Sequence, residues 1–175
     1  MGIRKIKVQD AEAFLSLNKQ LDNETSFMLF EPGERQTTVK QQETMIKKIR
    51  GKENSEIFVV ELDKTDLENT QPNLIGFLAF FGGQLNRNRH SGYLVIGVLE
   101  EFRGRGYGKR LFQTLEHWAL EKEIHRVELT VMKHNVNALN LYLNMGFEIE
   151  GVKRNSLKVN GVYVDEYYLS KLLSS

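Results

Sequence analysis

The stretch that most limits what this chain can fold into runs from Tyr93 to Trp118, YLVIGVLEEFRGRGYGKRLFQTLEHW. Tyr93, Leu94, Val95, Ile96, Val98 and Leu99 form an apolar, partly β-branched run bounded by turn residues, which predicts a buried strand. Arg103-Gly104-Arg105-Gly106-Tyr107-Gly108 follows, and Leu111, Leu115, Trp118 and Ala119 then recur at helical spacing. A helix therefore opens inside or just after the glycines, with its N-terminus facing the turn. Helix starts carry unpaired N–H groups and partial positive charge, and glycine lets backbone approach an anion without a Cβ in the way. The segment reads as a phosphate cradle.

Spacing rules out two common phosphate loops. A Walker loop needs four residues between its glycine and Gly-Lys-Ser/Thr, whereas Gly104 and Gly108-Lys109-Arg110 leave three and supply no hydroxyl. A dinucleotide fingerprint starting at Gly104 requires glycine where Lys109 stands. The pattern Arg-x-x-Gly-x-Gly, filled by Arg103, Gly106 and Gly108, instead resembles the acetyl-CoA signature of the GNAT N-acetyltransferase superfamily. A second segment resembles the same family. Val127 to Phe147, VELTVMKHNVNALNLYLNMGF, has a strand, then Asn-x-x-Ala, Leu-Tyr and Gly-Phe in family order.

The rest of the chain reads as alternating elements. Ile3 to Val8 is a strand, and Asp10 caps a helix whose Phe14, Leu17 and Leu21 face inward. Asn23 to Arg35 is a loop, and Thr37 to Arg50 a helix ended near Gly51. Glu56 to Leu62, Leu74 to Phe81 and Ser91 to Leu99 are three antiparallel strands, with Asp63 to Pro72 a polar connection and Gly82 to His90 a turn-rich one. Gly106 to Lys122 is the phosphate helix, Arg126 to Met132 a strand and Asn137 to Met145 a short helix. Phe147 to Lys158 and Val162 to Leu172 pair around Asn160-Gly161. This order resembles the GNAT fold along the whole chain: one domain over residues 1–175, an α/β (α+β) architecture with a mostly antiparallel mixed sheet and helices on both faces.

Composition sets boundaries. With 175 residues and 41% apolar residues the chain suffices for one core, and a net charge of +1 gives no reason to expect nucleic-acid or membrane partners. The clusters Arg87, Asn88, Arg89, His90 and Lys47, Lys48, Arg50, Lys52 read as solvated faces. No run reaches a membrane span, and Met1-Gly2-Ile3-Arg4-Lys5 lacks the apolar core of a signal peptide, so a cytoplasmic protein is expected. The absence of cysteine removes disulfides, zinc-thiolate sites and a cysteine nucleophile. His90, His117, His125 and His134 show no metal-ligand spacing, so no metal is expected.

Gly97 interrupts the strongest strand, where glycine marks a bulge or a close approach, here of an aromatic such as Phe77 or Phe80. The GNAT resemblance implies a splayed strand around a bulge there, with Ile96, Gly97 and Val98 touching the pantetheine arm through main chain. It also implies that Arg103, Gly104, Arg105, Gly106, Tyr107, Gly108 and Lys109 surround the pyrophosphate. For Lys109 and Arg110 a solvated helix face explains the charge equally well. Asn135 is a helix cap, with Asn137 as rival, or under the resemblance a cofactor contact. Tyr142 lies two helical turns after Asn135 on the same side, and packs as a core aromatic beside Leu139 and Phe147 or, as the resemblance implies, protonates the departing CoA thiolate.

The reaction that the resemblance implies is attack of a neutral primary amine on the acetyl-CoA thioester. The Val98 N–H stabilises the oxyanion, Tyr142 is the general acid, and a carboxylate accepts the amine proton. Glu24, Glu31 and Glu34 lie in the loop that covers the acceptor site in this family and Glu100 lies just past the strand; Glu31, between Phe30 and Pro32, is the chosen candidate. With no cysteine and no recognisable Ser-His-Asp spacing, direct transfer in a ternary complex is expected. The ending GFEIEGVKRNSLKVNGVYVDEYYLSKLL resembles the branch of spermidine and ribosomal-protein N-acetyltransferases. A polyamine, another small amine or a protein N-terminus thus all stand as acceptors, and a homodimer is compatible with the resemblance. An enzyme using another acyl-CoA and a non-catalytic CoA sensor remain alternatives.

Overall fold

The structure, a computed structural model, describes residues 2–63 and 73–174. The connection expected at Asp63 to Pro72 lies, beyond Asp63, outside the described residues. The elements are β1 (Gly2–Lys5), a 3-10 turn (Val8–Asp10), α1 (Ala11–Glu24), α2 (Val39–Arg50), β2 (Ser55–Glu61), β3 (Leu74–Gly82) and β4 (Ser91–Val98). A second 3-10 turn (Glu100–Phe102), α3 (Tyr107–Glu121), β5 (Arg126–Met132), α4 (Val136–Asn144), β6 (Glu148–Val159) and β7 (Val162–Leu172) complete the chain. This is the order expected from the sequence.

The strands form one sheet in the order β1-β2-β3-β4-β5-β7-β6. Every neighbouring pair is antiparallel except β4 and β5, which α3 connects as a parallel crossover. Strand alternation decides which helix covers which face. Phe77 meets Phe14 of α1 edge to face at 5.2 Å, so odd-numbered residues of β3 face α1. Phe80, with Phe58 beside it on β2, meets Trp118 of α3 at 6.0 Å and 5.9 Å, so even-numbered ones face α3. Both faces of β2 and β3 are buried, which is why those strands read as continuous apolar runs rather than alternating ones. On α1 and α3 the residues expected to face inward, Phe14, Leu17, Leu21, Leu111, Leu115, Trp118 and Ala119, are all buried.

Two local expectations are corrected. The first strand ends at Lys5 rather than Val8 because the chain tightens into the 3-10 turn. Asp10 precedes α1 but does not cap it through its side chain. Its carboxylate accepts from Arg4 Nη1 at 2.7 Å, Arg4 Nη2 at 2.9 Å and the Lys7 N–H at 2.7 Å, closing the 3-10 turn instead. Burial alone pushes that carboxyl up, but the Arg4 and Lys7 hydrogen bonds outweigh it and hold the group below its ordinary range. At the other end of the chain Asn160 and Gly161 take φ of 49° and 80°, the left-handed pair that a two-residue hairpin turn needs. Arg87 to His90, Lys47, Lys48 and Arg50 are exposed, as expected of solvated faces, while Lys52 of the same run is half-buried. Among the described residues no helix is long and apolar enough to cross a membrane, and no group of three or more potential ligands could hold a metal ion.

Candidate functional site

The site begins where β4 parts from β5. The two strands pair only at Ser91↔Arg126, Gly92↔Val127 and Tyr93↔Glu128. Toward β3, in contrast, β4 pairs continuously from Gly82↔Gly92 to Gly76↔Val98. The Gly83 N–H donates to Ser91 O and the Leu99 N–H to Ile75 O, so odd-numbered residues of β4 spend their main-chain groups on β3. Leu94, Ile96 and Val98 turn theirs toward the opening. Backbone groups aimed away from any strand are ready-made partners for an extended ligand.

Unbroken pairing with β3 corrects the expectation of a bulge at Gly97. Glycine is needed there for space: a Cβ would sit 2.8 Å from Leu21 Cδ1 and 3.2 Å from Phe77 Cε1. The close approach of Phe77, named from sequence as one use for this glycine, is what the structure contains, with Leu21 as the tighter neighbour.

The glycine turn lies at the open end of β4. Gly104 and Gly106 have φ of 72° and 82°, and above each the space that a Cβ would take is empty. Gly106 is the residue before α3, so the first N–H groups of a 15-residue helix point at that space. Gly108 has a different reason: a Cβ there would press on Leu141 of α4 at 2.9 Å, so it lets the two helices touch. Arg103 donates through Nε to Val98 O at 2.9 Å, tying the turn to the end of β4. Arg105 stacks over Phe102 at 5.3 Å and Arg110 over Tyr107 at 6.0 Å.

Across the opening, Asn135 is the cap of α4, accepting from the Ala138 N–H at 3.4 Å. Its rival Asn137 lies within the helix. Tyr142 is 8% exposed, its ring wedged edge-on against Phe112 at 5.7 Å and tilted on Phe147 at 6.1 Å. Burial first, and then Tyr93 facing it, push the phenol above its ordinary range, so it keeps its proton throughout the neutral region. The Tyr93 hydroxyl itself bridges the opening to Thr130 Oγ1 at 3.0 Å.

One cleft of about 1030 Å³ joins these parts. Its wall includes Ile96, Gly97, Val98, Arg103, Gly104, Gly106, Tyr107, Gly108, Lys109, Asn135 and Tyr142. Of the residues that the sequence put forward, Arg105, exposed on Phe102, and Glu31 stay out of it, as do Glu24, Glu34, Glu100 and Arg110. Glu31 is exposed because Gly33, with φ of 79°, turns the loop so that the Glu34 carboxylate accepts the Glu31 N–H at 2.8 Å. Glu24 is likewise occupied, accepting the Glu100 N–H at 3.0 Å. The loop meets the cleft through Phe27, Met28, Leu29 and Phe30 instead. Phe27 reaches His134 beyond β5, with ring centroids 5.1 Å apart.

The carboxylate that does line the cleft, alone among the described residues, is Glu166. It is 8% exposed and accepts from Ser156 Oγ at 2.8 Å, with Lys153 Nζ at 3.8 Å. The register shift between Lys153 and Leu157 on β6, with Asn155 at φ of 50°, brings Ser156 to it. Sequence reading missed this residue, since β7 offers only a short mixed pattern in which Glu166 shares a face with Tyr168 and Ser170. Asn18 and Gln42 were also missed. Both are buried amides on the cleft wall, and both sit on the apolar stripe of a helix, a signal that was readable.

Comparison with known proteins agrees with this geometry. L-amino acid N-acetyltransferase AaaT of Escherichia coli (strain K12) is 31% identical over 103 residues, 57% of this chain and 62% of that relative, so the match spans under two thirds of the relative's length. The crystal structure of an acetyltransferase of the GNAT family from Streptococcus pneumoniae superposes with a TM-score of 0.89 at 26% identity, covering 98% of this chain and 99% of that one. The structure of yncA from Salmonella typhimurium, solved with its cofactor acetyl-CoA, superposes with a TM-score of 0.81 at 15% identity, covering 99% and 94%. The model of the acetyltransferase (GNAT) family matches residues 19–147, a span that contains the parted strands, the glycine turn, the cap of α4 and Tyr142. With most of its length inside that match, the chain belongs to the acetyltransferase (GNAT) family.

Proposed function

We propose that the protein moves the acetyl group of acetyl-CoA to a primary amine, with both bound in the cleft at once. The observation that carries this reading is the coincidence, at one end of β4, of an unpaired strand edge and a helix N-terminus opened by two left-handed glycines. The vacant space over Gly104 and Gly106 fits a pyrophosphate, and Lys109 and the remaining N–H groups of Arg103 supply positive charge beside it. The Leu94 carbonyl, both main-chain groups of Ile96 and the Val98 N–H suit an amide-bearing arm. Acetyl-CoA brings an activated thioester, and the rest is done by the chain.

Orientation comes first, since holding amine and acyl carbon together in one cleft supplies rate without a covalent enzyme. The Val98 N–H, turned to the opening, donates to the carbonyl oxygen as it gains charge. Tyr142, kept protonated by burial, gives its phenolic proton to the departing sulfur. The amine must shed one proton as the amide forms, and Glu166 replaces Glu31 as the carboxylate that takes it. Solvent then restores both groups to their starting protonation.

Initial velocities of thiol release, measured with purified protein over several acetyl-CoA and amine concentrations, test the reading. Intersecting lines are expected. Parallel lines together with an acetylated enzyme by mass spectrometry overturn direct transfer, and no thiol release with any amine overturns the activity.

A further inference from the structure

Within that transferase reading, we propose that the acceptor is an α-amino acid with an uncharged side chain, its carboxylate held by Lys153 and its side chain received between α1, α2 and the sheet. Three independent features of the cleft wall point there.

The first is apolar shape. On the face of the sheet that α1 and α2 cover, the cleft is walled by Phe14, Leu21, Met45, Ile57, Phe77 and Val95. Such a pocket rewards an apolar stem and penalises a charged one.

The second is a polar group without a partner. Gln42 is 5% exposed, lines the same pocket, and its side chain makes no hydrogen bond among the described residues. Asn18, 6% exposed, gives its N–H to Phe14 O at 2.8 Å and leaves its carbonyl oxygen to the cleft. Both amides open onto the cleft, where a neutral hydrogen-bonding end on the acceptor side chain finds donors and an acceptor waiting for it.

The third is charge. Lys153 and Glu166 are direct partners across β6 and β7, with Nζ and Oε1 3.8 Å apart, and both line the cleft. Glu166 has a closer partner in Ser156, so the ammonium of Lys153 keeps donors to spare. Opposite charges on neighbouring strands complement the amine and carboxylate that an α-amino acid carries on one carbon. The other charge facing this half of the cleft is Arg35, which Asp22, outside the lining, neutralises at 2.7 Å and 3.2 Å. A polyamine needs several carboxylates for its several cations. This wall offers one, next to a lysine.

The test uses purified protein with acetyl-CoA and L-leucine, L-glutamine, L-glutamate, leucinamide, 3-methylbutylamine, spermidine and a leucyl peptide. Leucine and glutamine should exceed leucinamide and 3-methylbutylamine by about tenfold or more in kcat/KM, as expected when one charge-assisted contact is lost. L-Glutamate should trail L-glutamine. Lys153→Gln should bring leucine and leucinamide together mainly through KM, while the melting shift given by acetyl-CoA stays as it was. A second readout does not need turnover: added L-leucine should raise the melting temperature of CoA-loaded protein, and Lys153→Gln should abolish that increment. Spermidine, 3-methylbutylamine or the peptide matching leucine, or an acid-to-amide ratio unmoved in Lys153→Gln, overturns the proposal. Absence of thiol release with every amine overturns the transferase reading alone, and the leucine increment then decides this one.

Discussion

Strand β4 has two edges that behave in opposite ways. Toward β3 it is paired from end to end, and Gly97 sits in that pairing as a space-saver under Leu21. Toward β5 it pairs for three residues and then lets go, leaving its even-numbered main-chain groups to a cleft. The cleft thus needs no bulge. A parallel pair that stops early and a crossover helix that begins at the open end are enough. What the comparison teaches is that stability and ligand handling are carried by the two edges of a single strand, so substitutions on either side should separate them.

Tyr142→Phe should break the open edge hardest. Its ring packing on Phe112 and Phe147 survives the change, so fold and acetyl-CoA affinity should persist while the hydroxyl is lost. General-acid assistance is worth ~100- to 10,000-fold, and kcat should fall within that range. A loss below roughly threefold would return Tyr142 to the core-aromatic role and leave the sulfur to be protonated by water.

Gly106→Val attacks the same edge at its anion end. At φ of 82° a branched side chain is strained, so the unliganded protein should lose ~1 to 2 kcal/mol but still fold. The larger effect is on the ligand. Acetyl-CoA at ~100 times its dissociation constant should stabilise the native protein by about 2.7 kcal/mol, and the variant should lose most of that melting shift. A full shift in Gly106→Val would place the phosphates elsewhere.

Much of this was readable because the signals are local. The open-edge turn showed itself through Gly104 and Gly106, which need left-handed φ, and the last hairpin through Asn160-Gly161. The strand Arg126–Met132 has the bounds expected from its pattern, since polar turns flank it on both sides. The acceptor side was not readable in the same way. Glu31 looked suitable by neighbourhood in sequence, but the Gly33 turn sends it outward. Glu166 reaches the cleft only through the pairing of β5, β7 and β6 and the irregularity after Lys153. Asp10 followed the rule for a helix cap and was taken by Arg4, a residue from the neighbouring strand. Only Glu166 was decided by distant strands; Glu31 and Asp10 were redirected by neighbours two to six residues away, through a left-handed turn and a competing ion pair that a cap or loop pattern does not display.

Gly97→Ala probes the closed edge. The added methyl meets Leu21 at 2.8 Å, and Leu21 is itself fully enclosed, so overpacking should cost ~1 to 3 kcal/mol in urea denaturation. The acetyl-CoA melting shift should remain, because the methyl points to the α1 face and away from the glycine turn. An unchanged midpoint would mean that Leu21 yields freely, and a lost shift would mean that the two edges are coupled.

The smallest effect is expected where the opening closes. Arg126 pairs with Ser91 at the closed end of the three-residue β4–β5 pairing, and its guanidinium donates to both Glu150 oxygens at 2.6 Å and 2.7 Å and to Glu128 at 3.0 Å. Hydrogen bonding from Arg126, then from Ser170, holds the Glu150 carboxyl down to about 2. Unfolded glutamate titrates near ~4.3, so below that pH the unfolded chain binds the proton more readily than the native one. The stabilisation from Glu150 is therefore complete above about pH 4.3 and is lost as pH falls toward 2. Because the side chain is 43% exposed, solvent screens the pair, and Glu150→Gln should cost well under ~1 kcal/mol at neutral pH. Its signature is in the pH dependence: urea midpoints of the variant should fall less steeply between about pH 4.3 and 2 than those of the parent. Parallel acid limbs would show that charge does not hold the closed end, and that packing of β5 on β7 alone sets where the strands begin to part.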